Sequence, residues 1–146
     1  MKNSANNIGR LEIVVPQEAI DSNGHVNNVQ YVQWMQDAAL AHSASLGWPT
    51  ERYAALQRTW IIRSHSIEYF HSAYQGELLY VDTWVSTFQR IKSLRKFRFF
   101  RPADKVVLAK ASTLFIFCDT INGKPASIPP EVVQDYPIVA ANQEPQ

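Results

Sequence analysis

From Asn28 to Leu46 the chain runs without glycine or proline, and Asp37 is the only residue there with a formal charge at neutral pH. The stretch predicts one long helix, and Gly47 followed by Trp48-Pro49 supplies its stop. Val29, Val32, Met35, Ala38, Ala39, Ala41 and Leu46 spread over much of its circumference, so it must be covered on more than one side. Asn27 stands where the N-cap belongs. Gln30 sits at the third helical position, ready to reach back in an Asn/Gln version of the capping box.

What wraps such a helix is read from the remaining chain. Leu11, Ile13 and Val15 alternate with Arg10, Glu12 and Val14, which predicts a short strand stopped by Pro16. Pro49 to Gln57 reads as a connector. Thr59 to Phe70 then sets Ile61, Arg63, His65, Ile67 and Tyr69 on one face, with Trp60, Ile62, Ser64, Ser66 and Glu68 on the other. Leu78 to Phe88 alternates again after Gly76. Leu94 to Phe100 places Phe97 and Phe99 opposite Lys96 and Arg98, and Val106 to Cys118 is a last long strand after the Pro102-Ala103-Asp104 turn. Pro129-Pro130-Glu131 can start a short closing helix with Pro130 in its first turn. One helix followed by four long β-runs on short connections implies an α+β fold, a single strongly curved antiparallel sheet around the helix.

At 146 residues the chain suits one domain, residues 1–146, with flexible tails expected at 1–9 and 141–146. A net charge of +1 gives no global pull toward nucleic acid or membrane, and no apolar run is long enough to span a bilayer. Cys118 is the only cysteine, so neither an intramolecular disulfide nor a cysteine-rich metal site can be built. No apolar leader precedes Arg10, and a reducing cytoplasm is the expected compartment.

Just before the helix, Asp21, Asn23 and His25 put a carboxylate, an amide and an imidazole on alternate positions. A helix N-terminus has backbone N–H groups without intrahelical partners and a dipole that favours negative charge, so such a cluster faces a place that can stabilise an oxyanion. The same Asp-Ser-Asn-Gly run also reads as a plain turn, since Asp and Asn bond their own backbone and glycine takes positive φ. Both readings can hold together. His25 alone reads as readily as a structural histidine, and Tyr31 and Trp34 are core residues unless a cavity opens beside them. His42, His65 and His71 make no metal-ligand spacing, and no Gly-x-Ser-x-Gly elbow is present. Neither metal nor cofactor is expected.

Charge is uneven. From Phe88 to Lys110 eight basic residues, among them Arg90, Lys92, Arg95 and Lys96, stand against Asp104 alone. A solvated strand face explains this, and so does a landing surface for the phosphates of coenzyme A or an acidic carrier protein. Nucleic acid is the weaker candidate, because the rest of the chain is acidic.

Asp21, Gly24 and Tyr31 resemble the Asp-x-x-Gly…Tyr pattern of the 4-hydroxybenzoyl-CoA thioesterase-like family. Asp21-x-Asn23-x-His25-Val26-Asn27-Asn28-Val29-x-Tyr31, with Trp34, resembles a stretch of acyl-ACP thioesterases, and Ile67-Glu68-Tyr69 also fits. The resemblance implies a hot-dog fold and hydrolysis of an acyl-CoA or acyl-ACP thioester. Asp21 would be nucleophile or general base, and the backbone N–H of Asn28 the oxyanion donor. Asn23 and His25 would orient the carboxylate or water, and Tyr31, Arg90, Lys92, Arg95 and Lys96 would meet the substrate. It also implies a homodimer or homotetramer. The acyl-ACP group carries a further acid where this chain has Ser72 and Ala73, so Glu68 or Glu77 would have to replace it. A non-catalytic acyl-binding module, or a hydratase or dehydratase on the same fold, are the alternative readings.

Overall fold

The computed structural model describes residues 7–145. Strand β1 (Gly9–Val14) leads through a 3-10 turn (Gln17–Ala19) into helix α1 (Asn28–Ser45) and a short helix α2 (Thr50–Ala55). Strands β2 (Arg58–Tyr69), β3 (Leu78–Phe88), β4 (Lys92–Arg101) and β5 (Val106–Asp119) follow, then helix α3 (Pro130–Asp135) and a last 3-10 turn (Ala141–Gln143). The five strands form one sheet in the order β1-β3-β4-β5-β2, every neighbouring pair antiparallel. Register shifts between Ile62 and Ser64, Val85 and Thr87, and Phe99 and Phe100 mark β-bulges, which bend a sheet and help it curve around a helix. The class is α+β and the architecture is the hot-dog fold.

Helix α1 begins where the sequence predicts. The Asn27 carboxamide Oδ1 accepts the Val29 N–H at 2.9 Å, satisfying one otherwise unpaired donor. The reciprocal half of the capping box does not form, because the Asn27 N–H donates to the Ala19 carbonyl instead. Tyr31, Trp34, Met35, Ala38 and His42 make the buried stripe of α1, spaced at three and four residues, and the first four pack in a core with Leu79, Val81, Phe97, Phe99 and Leu108. Each fully enclosed side chain such as Phe99 contributes about 2 kcal/mol. A second cluster of Trp48, Tyr53, Val85, Phe117, Val132 and Tyr136 closes the far end.

Four expectations need correction. The sheet covers only one side of α1 within a single chain: Val29 is 75% and Leu40 56% exposed. The supposed connector contains α2, which Tyr53 anchors by packing its ring on Trp48. The two faces of β2 are not those of simple alternation, because the bulge between Ile62 and Ser64 places Arg63 as an extra residue. Trp60 and Ile62 therefore share the inner face with His65, beside one cavity. Lastly, residues 141–145 are docked, since the Glu144 carboxylate accepts from Trp84 Nε1 at 3.0 Å and pairs with Lys96 Nζ at 2.8 Å. The expected N-terminal tail lies outside the described residues up to residue 6, and strand begins at Gly9.

On the outer face, Asp82 is enclosed by two arginines. Its Oδ1 accepts from Arg10 Nε at 2.7 Å and its Oδ2 from Arg98 Nη2 at 2.9 Å, so a carboxylate with almost no solvent is matched by two cations.

Candidate functional site

The loop before α1 is held by its own backbone. Ile20 and Val26 form an isolated antiparallel bridge, the Asp21 N–H donates to the His25 carbonyl at 3.0 Å, and the Val26 N–H donates to the Ala73 carbonyl at 2.9 Å. Gly24, at φ +85°, takes the left-handed conformation that lets this tight loop close. The loop is thereby fastened both to itself and to the segment after β2.

Within it, Asp21 is half-buried and its Oδ1 accepts the Asn23 N–H at 2.8 Å, an Asx turn. Its Oδ2 has no hydrogen-bond partner among the described residues. Asn23 thus meets Asp21 through its backbone, while its side chain is exposed. The His25 ring stands edge-on to Tyr74 at 6.4 Å between centroids. Asn28 opens α1, its N–H has no described partner, and its carbonyl accepts the Tyr69 hydroxyl at 3.3 Å. A half-free carboxylate and an unpaired amide therefore follow one another across the helix start.

Tyr31 belongs to the core, edge-to-face with Trp34, Tyr69 and Phe99. Burial pushes its phenol up to about 12, with Tyr69 and Glu77 adding to the effect, so it stays protonated at neutral pH. Glu77 is occupied: Arg101 Nη1 donates to both its oxygens, at 3.0 and 3.1 Å, and Oε1 also accepts the Tyr74 N–H. Glu68 lies in register with Lys110 on the outer face.

The basic segment does not make one surface. Arg90 lies exposed at the β3–β4 turn, Lys92 begins β4, and Lys96 faces outward to Glu144. Arg95, one residue earlier, points to the inner face and is only 4% exposed. Successive strand residues point to opposite faces, so the run of charge in the sequence divides in space.

Arg95 faces a cavity of about 440 Å³ between α1, α2 and the inner face of the sheet. Its walls are mostly apolar and aromatic, among them Met35, Trp60, Phe97 and Phe115. Arg95 Nη1 donates to His42 Nδ1 at 3.0 Å and to Thr83 Oγ1 at 3.1 Å, so His42 must present a lone pair at Nδ1. Desolvation pulls the Arg95 guanidinium down to about 10, partly offset by Tyr136 and Tyr53, and it remains charged at neutral pH. His65 Nδ1 lies 2.8 Å from Thr113 Oγ1, and burial lowers its pKa. The Tyr53 and Tyr136 hydroxyls are 2.7 Å apart, and burial, reinforced by Tyr136, pushes the Tyr53 phenol up. Sequence reasoning named Arg95 only as one cation of a basic landing surface and missed its place at the polar end of a cavity with His42 and Thr83, although Arg95 shares its parity with Phe97 and Phe99. The lining starts on α1 at Met35, roughly 10 Å along the axis from Asn28. Asp21, Asn23, His25 and Asn28 are not part of it. Among the described residues, no three His, Cys, Asp or Glu side chains gather to hold a metal ion.

The family model of the thioesterase-like superfamily matches residues 14–135. No curated protein matches. Among solved structures, a 1,4-dihydroxy-2-naphthoyl-CoA thioesterase from Synechocystis superposes with a TM-score of 0.79 at 19% identity, over 87% of this chain and 93% of that one. A DHNA-CoA thioesterase from Staphylococcus aureus gives 0.81 at 21% identity, over 88% and 87% of the two chains. An acyl-ACP thioesterase from Bacteroides thetaiotaomicron gives 0.85 at 24% identity, over 99% of this chain and 57% of that longer one. At these identities the likeness speaks for the fold.

Proposed function

The chain belongs to the thioesterase-like superfamily, and on that premise we propose that it hydrolyses the thioester of an acyl-coenzyme A or an acyl carrier protein. The observation that carries this reading is the N–H of Asn28 at the head of α1, directly after the loop that presents the half-buried Asp21, with neither that N–H nor Asp21 Oδ2 partnered among the described residues. Acyl transfer needs a group that attacks the carbonyl or deprotonates water, and a donor aimed at the oxygen that becomes negative. Asp21 supplies the first, as nucleophile or general base, and Asn28 the second, worth about 3 kcal/mol. In the general-base route, water oxygen bonds the carbonyl carbon as Asp21 takes its proton; the C–S bond then breaks and sulfur leaves with the electron pair. A thiolate needs little protonation to depart, so a single carboxylate suffices. Asn23 and His25 orient the water, and the exposed Arg90 and half-buried Lys92 offer charge to the carrier.

The acyl group extends along α1 into the cavity that begins at Met35. A second copy of the chain completes the site, covering the exposed Val29 and Leu40 of α1 and the open edge of β2. The test is release of free thiol from a panel of acyl-CoAs. Asp21→Ala lowers kcat/KM by about 10²- to 10⁴-fold; turnover unchanged in that variant sinks the assignment. One oxygen of Asp21 is spent on its own turn, which favours a second reading, an acyl-binding module without turnover. Ligand-dependent thermal stabilisation without thiol release would establish that reading instead.

A further inference from the structure

We propose that the cavity beside α1 selects acyl groups whose far end carries a carboxylate, with Arg95 as the residue that recognises it. The proposal rests on the thioesterase reading for the identity of the substrate, and on the cavity for its chemistry. A cation taken out of water is costly unless an anion or a full set of acceptors meets it. Arg95 is 4% exposed, and no Asp or Glu among the described residues pairs with it. The positive contributions to its charge state come from two phenols, Tyr136 and Tyr53. The aromatic chamber therefore holds a positive charge that no carboxylate of the described residues neutralises.

The arrangement of its donors narrows what could neutralise it. The two protons of Nη1 go to His42 Nδ1 and Thr83 Oγ1, which fix the guanidinium plane from behind. Nε and Nη2 donate to no described residue. Arg95 lines the cavity, and with Nη1 held by His42 and Thr83 the Nε/Nη2 edge is the part of the guanidinium left to meet a ligand there. The Nε/Nη2 edge is one of the edges a carboxylate meets with two parallel N–H···O bonds. Its neighbours compete little for such a group: toward α1 and β2 the apolar Met35, Leu40, Trp60 and Ile62 stand beside Gln36, Ser43 and His65, and the other arginine of the lining, Arg58, is already paired with Asp119 at 3.1 Å. A methyl-ended chain would fill the same space and leave the guanidinium without an anion, whereas a chain ending in a carboxylate fills the space and supplies one.

Matched pairs of acyl-CoAs, ω-carboxyacyl against methyl-ended acyl of equal length, test this on the wild-type protein. The carboxylated member should show a kcat/KM about tenfold or more above its partner at the best-fitting length, from one charge-assisted pair. In Arg95→Met the ratio should fall to one or below. A wild-type preference for methyl-ended substrates at every length, or an Arg95→Met variant that keeps the wild-type ratio, overturns the proposal. Thermal stabilisation by octanoate compared with octan-1-ol reads the same charge without catalysis or a variant. Stabilisation by octanoate alone, with no thiol released from any substrate, keeps the Arg95 site and sinks the hydrolase. Thiol release with no carboxylate preference and no octanoate effect does the reverse.

Discussion

Gly9 shows how much one missing methyl group decides. It lies at the start of β1, and a Cβ there would stand 2.7–2.8 Å from the ring and Cβ of His42. His42 cannot easily yield, because it is buried in α1 and its Nδ1 accepts a hydrogen bond from Arg95 Nη1. Gly9→Ala should therefore destabilise the protein by about 1–3 kcal/mol, the usual cost of overpacking, read as a lowered midpoint in urea. An unchanged midpoint would mean that β1 shifts freely. In the sequence Gly9 read as the end of a loose tail, since a glycine needed for closeness to a distant residue looks like one needed for nothing. Asp21, Asn27 and Asn28 were legible because their roles are local: an Asx turn, a cap and a helix start are set by neighbours in the chain. The partnership of Arg95 with His42 and Thr83 was not, because it joins three elements whose approach only the fold fixes.

At the scale of elements, α1 is positioned by its cap. Asn27 both caps the helix and ties the preceding loop to the Ala19 carbonyl. Removing only the side-chain acceptor, as in Asn27→Ala, should cost about 1 kcal/mol in chemical denaturation, and Asn27→Ser should restore most of it. Because Asn28 follows at once, thiol release should fall in the alanine variant by more than its stability explains. Equal stability in the two variants would show that the cap does not matter. Strand limits of β3 and the start of α3 were readable from alternation and from Pro130. The bulge of β2 was not: Arg63 carries no glycine or other mark, and it is the pairing with β5 that makes it the extra residue. Helix α2 escaped for a related reason, since six residues are too few to be helical by propensity and depend on Tyr53 meeting Trp48.

At the scale of the whole molecule, the helix whose apolar residues demand cover on more than one side is covered on one, and the demand passes to something outside the chain. Val29 and Leu40 on α1, with Ile61, Tyr69 and Phe70 along or just beyond β2, leave large apolar side chains in water beside a twelve-residue edge strand. An edge of that length, with Thr59, Trp60, Ile61 and Ile62 uncharged in succession, is a template for another strand. Antiparallel pairing of β2 with its copy would double the sheet and bring the exposed side of each α1 toward the other, a closed two-fold arrangement. The same association would cover the exposed Val29, one residue after Asn28, and so help to shield the thioester from water. Light scattering at micromolar concentration should therefore report a multiple of the 16.6 kDa chain mass. Should it report 16.6 kDa with thiol release intact, the site works from a single chain and the exposed apolar residues need another explanation. A dimer that loses both association and turnover on Ile61→Lys, with unchanged helix content, would tie the edge of β2 to catalysis.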